Sequence, residues 1–354
     1  MPESLDIWKL LAGLGIFLFG MFLMEESIKK LAGRSFKKFI RKSTKGRFKS
    51  ILSGTLVTGV LQSSSAVSLM VLAFVGAGIM AMENAIGVIL GSNLGTTFTS
   101  WLVAFFGFKV DIEEYALPLI GIGGLGLIFL GKSERFSNIS KLLVGFGFLF
   151  MGLGYMKTSV EELTSSFDLT TLPEYGIVLF ALAGIVLTAI MQSSSATIAI
   201  VLTSLNAGVL GFNSAAAMVI GANVGTTVTV LLGSIGGSQV KKRVALSHLT
   251  FNSVTAIVGL LLIPVFTWTI TRVLGPAGQN AVMGLALFHT LFNLVGVMLF
   301  LPFITVLSRL LLKAYPDKIK HVTKHLHHAT PEISDAGIEA LKSEVLHLFE
   351  LVLL

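Results

Sequence analysis

The 354-residue chain contains no cysteine and few charged residues, and both shortages limit what it can be. Without cysteine it has no disulfide bonds and no thiolate metal sites. Only 13% of its residues are charged while 53% are apolar, a composition unlike that of a water-soluble globular protein. The net charge of +7 does not indicate nucleic-acid binding, because the basic residues fall in short loops between apolar runs. The composition therefore predicts a polytopic membrane protein with the lipid bilayer, and no nucleic acid, as its partner.

Two apolar segments are too long for a single crossing of about 20 residues. They are residues 50–80 and 174–210, and each carries the sequence Gln-Ser-Ser-Ser in its middle. We expect each segment to be a re-entrant helical hairpin whose polar tip stops partway through the bilayer, buried in protein or water. The first apolar run, residues 8–24, lacks a basic leader and a cleavage site, which predicts a retained membrane helix.

The distribution of charge predicts the orientation in the membrane. Residues 29–49 contain ten Lys or Arg and no acid, which is typical of a cytoplasmic loop and puts the N-terminus outside. If both long segments are hairpins, the acidic loops 107–114 and 158–173 fall outside and the basic loops 131–141 and 237–246 fall inside. Counting either hairpin as one crossing would reverse this agreement, and the C-terminus is expected in the cytoplasm.

An internal repeat organises the chain. Residues 54–99 align without gaps on residues 184–229, with 18 identities in 46 positions. The identities include both Gln-Ser-Ser-Ser-Ala blocks and a Gly-x-Asn-x-Gly-Thr-Thr motif that begins at Gly91 and again at Gly221. An odd number of crossings separates the copies, so we expect the second copy to be inverted, as in secondary transporters.

The predicted fold class is an all-α polytopic membrane protein with two inverted-topology repeats, each containing a re-entrant helical hairpin and a broken transmembrane helix. The first repeat occupies residues 1–139, with its broken helix at 82–106. The second repeat occupies residues 140–270, with its broken helix at 213–236. A C-terminal transmembrane helix with a basic cytoplasmic end follows at 271–325, and a cytoplasmic helix starts within 326–354.

The serine motifs suit an anion. A hairpin tip at Gln-Ser-Ser-Ser puts serine, a preferred N-cap, at the start of the second half-helix, where free N–H groups and the helix dipole favour negative charge. No charged residue occurs from 175 to 240, so co-bound cations would have to offset the charge of the anion. A single serine run in a membrane helix is commonly structural, but two matched copies favour binding.

The Gly-x-Asn-x-Gly-Thr-Thr motifs suit a cation. Glycine in a helix interior costs about 1 kcal/mol relative to alanine, so we expect both helices to unwind at this motif. Freed carbonyl groups, together with the side-chain oxygens of Asn93, Thr96, Asn223 and Thr226, would supply the oxygen ligands that a hard cation such as sodium requires.

Two later helices share the pattern Ala-Leu-x-His-x-x-Phe-Asn, which ends at Asn252 and at Asn293. Its His and Asn lie four residues apart on one helix face. They either line an ion route or form a hydrogen-bonded contact between helices.

Two rival functions remain at this point. An intramembrane serine hydrolase could use Ser64 or Ser194 with His248 or His289, but it needs one activated serine and not a matched pair. The chain also lacks the Gly-x-Ser-x-Gly elbow of many hydrolases. A passive anion channel would conduct without a sodium gradient.

With these motifs the chain resembles the type II sodium-phosphate cotransporters, whose hallmark is a duplicated Gln-Ser-Ser-Ser in inverted repeats. The resemblance covers about residues 8–311 and is carried by Gln62–Ala66, Gly91–Thr97, Gln192–Ala196 and Gly221–Thr227. It implies no enzymatic activity and no cofactor, but sodium-driven import of inorganic phosphate by alternating access. Phosphate would lie on Ser63, Ser64, Ser65, Ser193, Ser194 and Ser195. Sodium, the only metal, would lie on Gln62, Asn93, Thr96, Thr97, Gln192, Asn223, Thr226 and Thr227, with Asn252 and Asn293 as secondary candidates.

The resemblance also implies a location and a C-terminal region. Such bacterial proteins lie in the inner membrane, and many carry a cytoplasmic helical domain similar to the phosphate-uptake regulator PhoU. Residues 331–354 look like the first helix of that domain, cut short, with apolar residues at helical spacing. A homodimer is compatible with this plan.

Overall fold

The computed structural model describes residues 7–43, 46–108, 113–166, 176–275, 280–316 and 334–353, and it contains no strand among them. From the N-terminus the helices are α1 (Ile7–Ser43), α2 (Arg47–Leu61), α3 (Ser64–Gly76), α4 (Met82–Phe108), α5 (Glu113–Leu130), α6 (Glu134–Ser166), α7 (Ile177–Met191), α8 (Ser194–Asn206), α9 (Phe212–Gly225), α10 (Thr227–Ser234), α11 (Gln239–Leu274), α12 (Ala281–Phe300), α13 (Ile304–Ala314) and α14 (Ser334–Leu353). A short 3-10 turn at Leu301–Phe303 joins α12 to α13.

Six helical segments of the described chain are long and apolar enough to cross a membrane. They are Trp8–Gly33, Met82–Phe108, Glu134–Ser159, Phe212–Ser234, Gln239–Leu274 and Ala281–Ala314. Helices α3, α7 and α8 are apolar but shorter, as half-membrane helices would be. The predicted all-α, polytopic membrane fold is confirmed.

The sequence repeat appears in the structure as matched helix pairs. Helix α2 packs along α4, and its repeat equivalent α7 packs in the same way along α9. A Cβ atom at Gly91 would collide with the carbonyl oxygen of Ile51, and one at Gly221 with that of Ala181. Since lipid provides no hydrophobic drive between helices, small residues that let backbones touch are the means of tight association. The inverted relation of the two copies stays a prediction.

The break predicted within residues 82–106 of the first repeat is wrong. Helix α4 runs without interruption from Met82 to Phe108. The helix expected to break at 213–236 does divide at the motif, into α9 and α10 at Thr226, but it does not unwind there: Thr226 has helical φ (−63°) and ψ (−21°), and its N–H still bonds to the Ala222 carbonyl at 3.1 Å. Unwinding would leave backbone groups without partners in an apolar environment. The glycines serve close helix contact instead.

The chain divides into two compact units, residues 1–315 and 316–354. In the second unit the described element is α14, which agrees with the helix expected at 331–354. The similarity of that helix to PhoU stays a prediction. Asp111 and Asp168 of the expected external loops, and residues 317–333, lie outside the described residues.

Candidate functional site

Both Gln-Ser-Ser-Ser motifs break the helix at the same point and with the same backbone geometry. We call the residues Gln62–Ser65 the first tip and Gln192–Ser195 the second tip. Gln62 (φ 56°, ψ 21°) and Gln192 (φ 55°, ψ 21°) are left-handed, and they are the non-glycine residues of the described chain with positive φ. A left-handed residue other than glycine costs about 1–2 kcal/mol. Repeated strain of this kind points to a function for the glutamine side chain.

Each glutamine side chain makes two hydrogen bonds that glycine could not make. In the first tip, Gln62 Nε2 donates to the Gly59 carbonyl, and Oε1 accepts from Thr99 Oγ1 at 2.9 Å. In the second tip, Gln192 Nε2 donates to the Ala189 carbonyl at 3.0 Å, and Oε1 accepts from Thr229 Oγ1 at 2.8 Å. The glutamine thus caps the end of the preceding helix and ties it to the neighbouring transmembrane helix.

The first serine of each tip caps the next half-helix, as its sequence position indicated. Ser63 is extended and accepts from the Ala66 amide at 3.2 Å, and Ser193 accepts from the Ala196 amide at 3.3 Å. The following two serines open helices α3 and α8, so their amides have no intrahelical acceptor. Ser64, Ser194 and Ser195 are buried. Each tip therefore presents amide and hydroxyl donors at a positive helix end.

Thr99 connects the two tips and is the functional residue that sequence reasoning missed. Its hydroxyl donates to Gln62 of the first tip and accepts from Ser195 Oγ of the second tip at 3.4 Å. Thr99 is only 2% exposed, so this meeting point lies inside the protein. The sequence feature that could have pointed to Thr99 is that threonine also stands at the equivalent position, Thr229, at the end of the repeat alignment.

The threonines expected to bind sodium all hydrogen-bond to backbone carbonyl groups three or four residues earlier. Thr96 Oγ1 donates to Ser92 at 3.0 Å, and Thr97 Oγ1 donates to Leu94 at 2.8 Å. In the second copy, Thr226 and Thr227 donate to Asn223 and Val224 at 2.6 and 2.7 Å. The hydroxyl hydrogens are therefore committed, and the remaining lone pairs are available to a cation.

Asn223 and Asn293 meet in a closed hydrogen-bonded loop between helices α4, α9 and α12. Asn223 Nδ2 donates to Asn293 Oδ1 at 2.8 Å, and Asn293 Nδ2 donates to the His289 carbonyl at 2.9 Å. His289 Nε2 lies 3.3 Å from Asn223 Oδ1, an acceptor, so it carries the ring hydrogen. His289 Nδ1 then accepts from Ser100 Oγ at 2.6 Å. We call these four residues the closed loop, and each is at most 3% exposed.

The equivalent residues around Asn93 on α4 and α11 are equally buried, but several of their polar atoms lack partners. Asn93 is the repeat equivalent of Asn223, while His248 and Asn252 match His289 and Asn293 in the shared pattern. Asn93 Nδ2, both ring nitrogens of His248, Asn252 Oδ1 and Thr255 Oγ1 have no hydrogen-bond partner among the described residues. Buried polar groups are normally paired, so such a group requires a ligand, a water or a structural reason.

A single exchange in the repeat explains part of this difference. Val230 stands at the position equivalent to Ser100, so His248 has no serine in the place where His289 has Ser100. Val230 belongs to the same apolar cluster as Phe251 of α11 and Ile89 of α4, one turn from Asn93. Asn223 and Asn93 therefore lie on equivalent helices but are surrounded by different polar groups.

Comparison with known proteins identifies the family of the chain. A family model described as Na+/Pi-cotransporter matches residues 16–158 and 176–298, which include both tips and both glycine motifs. The chain belongs to the Na+/Pi-cotransporter family. This family transports phosphate across membranes and is not an enzyme family.

Two bacterial relatives are similar over most of the chain. YqeW of Bacillus subtilis, whose function is uncharacterized, is 31% identical over 85% of this chain and 96% of its own length. YjbB of Escherichia coli, a protein named for inorganic phosphate export, is 26% identical over 86% of this chain. The match spans only 55% of YjbB.

A mammalian family member matches over a short region. Sodium-dependent phosphate transport protein 2A of Oryctolagus cuniculus is 39% identical over 66 residues, which are 18% of this chain and 10% of the relative. No solved structure matches the chain.

The hydrogen bonds of the tips also bear on the rival hydrolase. His289 bonds to Ser100 and not to Ser64 or Ser194, and both ring nitrogens of His248 lack a partner among the described residues. A nucleophilic serine needs a base within hydrogen-bond reach. The described geometry contains no such pair at either tip, in agreement with a family of transporters.

Proposed function

We propose that this protein is a sodium-coupled phosphate transporter in which inorganic phosphate binds between the two tips. The observation that carries the proposal is the contact of Thr99 with Gln62 of the first tip and Ser195 of the second. Two serine-capped helix ends that converge on one buried point form an anion site with positive helix ends on two sides.

The proposed phosphate ligands are the serines of both tips, Ser63, Ser64, Ser65, Ser193, Ser194 and Ser195. A capping serine accepts an amide hydrogen with one lone pair, and its own hydroxyl hydrogen remains free to donate to a phosphate oxygen. The first-turn amides of α3 and α8 add further donors. These donors carry no net charge, so they hold the anion and still permit its release.

Sodium supplies the positive charge that these neutral donors lack. Helices α7 to α10 contain no charged residue, so a bound phosphate has no protein cation beside it there. The proposed sodium ligands are the oxygens of Gln62, Asn93, Thr96, Thr97, Gln192, Asn223, Thr226 and Thr227, with Asn252 and Asn293 beside them. Among the asparagines Asn252 is the strongest candidate, because its Oδ1 has no described hydrogen-bond partner while Asn293 Oδ1 already accepts from Asn223.

Alternating access would move the tips relative to a scaffold that includes α1 and α6. We propose that the helix pairs α2–α3 and α7–α8 are re-entrant hairpins of two inverted repeats. Gln62 is half-buried while Gln192 is exposed, an asymmetry that supports a conformation open on the side of the second tip. In a bacterial plasma membrane, with the N-terminus outside and the C-terminus in the cytoplasm, an inward sodium gradient would drive phosphate import.

The test is uptake of radiolabelled phosphate by proteoliposomes with an inward gradient of sodium or of choline. We expect uptake to require sodium and to fall at least tenfold in Ser64→Ala and in Ser194→Ala, because a hydrogen bond to a charged group contributes about 1.5–3 kcal/mol. Ser137→Ala, on α6 and outside both tips, serves as the control and should behave like the wild type. Sodium-independent uptake would indicate a passive channel, and labelling by a fluorophosphonate would indicate a hydrolase.

A second candidate is phosphate export, which the name of the Escherichia coli relative favours. A symporter moves phosphate in whichever direction the sodium gradient points. Proteoliposomes preloaded with phosphate and given an inward sodium gradient distinguish the two functions, since a symporter retains the label and a dedicated exporter loses it.

A further inference from the structure

A basic cavity of about 1170 Å³ lies apart from the tips, where α1, α3 and the start of α6 meet. Four cationic side chains line it, Lys29, Lys30, Lys37 and Arg135, against the single carboxylate of Glu134. We call it the basic cavity. A cavity with this excess of positive charge attracts an anion.

The four cations differ in how far they are already neutralised. Lys29 and Lys30 each form an ion pair with the acid one turn earlier, Glu25 and Glu26. Lys37 and Arg135 make no ion pair with any residue that the structure describes. These two side chains are exposed and available to an incoming anion.

The rest of the cavity wall is apolar. Met70 and Phe74 of α3 and Ile139 of α6 line it, and the two α3 side chains also pack against the neighbouring apolar core. A ligand that satisfies the whole wall has an anionic group and a hydrocarbon part. Inorganic phosphate offers the same oxygens as a lipid phosphate but leaves the apolar surface uncovered.

The position along the helices matches the edge of a bilayer. The cavity includes residues at the C-terminal end of the candidate span Trp8–Gly33 and at the N-terminal end of the span Glu134–Ser159. Lys and Arg at such a position reach the headgroup layer, and basic pockets between transmembrane helices recognise anionic headgroups there. We propose that the basic cavity binds an anionic phospholipid, with its phosphate on Lys37 and Arg135 and an acyl chain along Met70 and Phe74.

The test is binding of dioctanoyl phosphatidylglycerol to the purified full-length chain in neutral detergent, measured by native mass spectrometry. Dioctanoyl phosphatidylcholine and inorganic phosphate are the comparison ligands. The double variant Lys37→Gln/Arg135→Gln should bind phosphatidylglycerol about 25-fold more weakly, since each cation near an anionic lipid contributes roughly a factor of five. The matched control, Lys38→Gln/Lys132→Gln, removes two exposed charges from the same region without altering the cavity wall.

The expected result is strong binding of phosphatidylglycerol over phosphatidylcholine in the wild type and the control, and loss of this preference in the cavity variant. Equal binding by the two double variants would overturn the proposal, because the preference would then come from general surface charge. Displacement of phosphatidylglycerol by millimolar inorganic phosphate in the Ser64→Ala protein would also overturn it, since the cavity would then recognise free phosphate. The binding measurement is independent of transport.

Discussion

The two halves of the molecule share their backbone and differ in what their buried polar groups do. Both tips have left-handed glutamines and serine caps of nearly the same geometry. In the second half, Asn223 and Asn293 complete the closed loop, and Thr188 bonds to Thr197 at 2.7 Å. The first-half equivalents of Asn223 and Thr188 are Asn93 and Thr58, and each has an unpartnered polar atom.

This difference teaches that a duplicated backbone does not imply duplicated chemistry. Valine stands opposite a hydroxyl residue of the other repeat twice, at Val67 opposite Thr197 and at Val230 opposite Ser100. Each replacement removes one hydrogen-bond partner and leaves the helix packing in place. The hydrogen bonds around Asn223 are therefore more complete than those around Asn93.

The largest expected effect concerns what the halves have in common. Gly91→Ala and Gly221→Ala should each destabilise the protein by about 3 kcal/mol or more, because the added Cβ collides with backbone oxygen atoms that cannot move independently. Gly121→Ala is the control, since its Cβ would enter open space and alanine favours a helix by up to about 1 kcal/mol. Thermal midpoints from size-exclusion chromatography measure all three. Tolerance of either glycine variant would contradict the close-contact explanation.

The next largest effect should distinguish the polar groups around Asn223 from those around Asn93. Asn223→Ala leaves Asn293 Oδ1 and His289 Nε2 without their partners in the closed loop, so we expect a loss of about 2–4 kcal/mol in stability whether or not sodium is present. Asn93→Ala removes an amide whose nitrogen has no described partner, so stability without sodium should change much less. Its thermal stabilisation by sodium should instead disappear. Equal melting behaviour of the two variants would remove the distinction between the halves.

A smaller effect is expected where the tips meet. Thr99→Val should reduce phosphate uptake about tenfold, because it removes the hydroxyl that contacts both Gln62 and Ser195. Thr229→Val loses one hydrogen bond at a partly exposed position, and its uptake should fall no more than about threefold. Initial rates of sodium-driven uptake at equal protein density provide the comparison. A larger loss for Thr229 would mean that the second tip is the more important one.

The smallest expected effect restores a bond that the first half lacks. Val67→Thr supplies Thr58 with the partner that Thr197 gives Thr188, and we expect a gain of about 0.5–1 kcal/mol. Val71→Thr, one turn later and equally buried, has no waiting partner and should lose about 1–2 kcal/mol. Thermal midpoints again serve as the measurement. The idea fails if both valine variants lose stability equally.

Much of the fold could be predicted because the sequence pattern reports local preferences. Runs of apolar residues predicted the membrane helices, and the two polar interruptions predicted helix ends at Gln62 and Gln192. Serine at the following position predicted the caps, since capping depends on neighbours within three residues.

The rest depends on contacts between distant segments, which a single sequence does not contain. Glycine in Gly-x-Asn-x-Gly-Thr-Thr signals both helix unwinding and close packing, and only the position of α2 against α4 decides between them. Thr99 was visible as a repeated residue, but its contact with Ser195 comes from the packing of α4 against α8. The basic cavity likewise requires α1, α3 and α6 to meet.

The glycine contacts have a mechanical consequence. At these glycines the backbone of α2 touches that of α4, and the backbone of α7 touches that of α9. No side chains lie between the helices there, so nothing can deform to let one helix slide along the other. A tip that moves must therefore move together with its partner helix as one rigid unit. The Thr99 hydroxyl lies where such units meet, because it bonds to Gln62 of its own helix pair and to Ser195 of the other repeat.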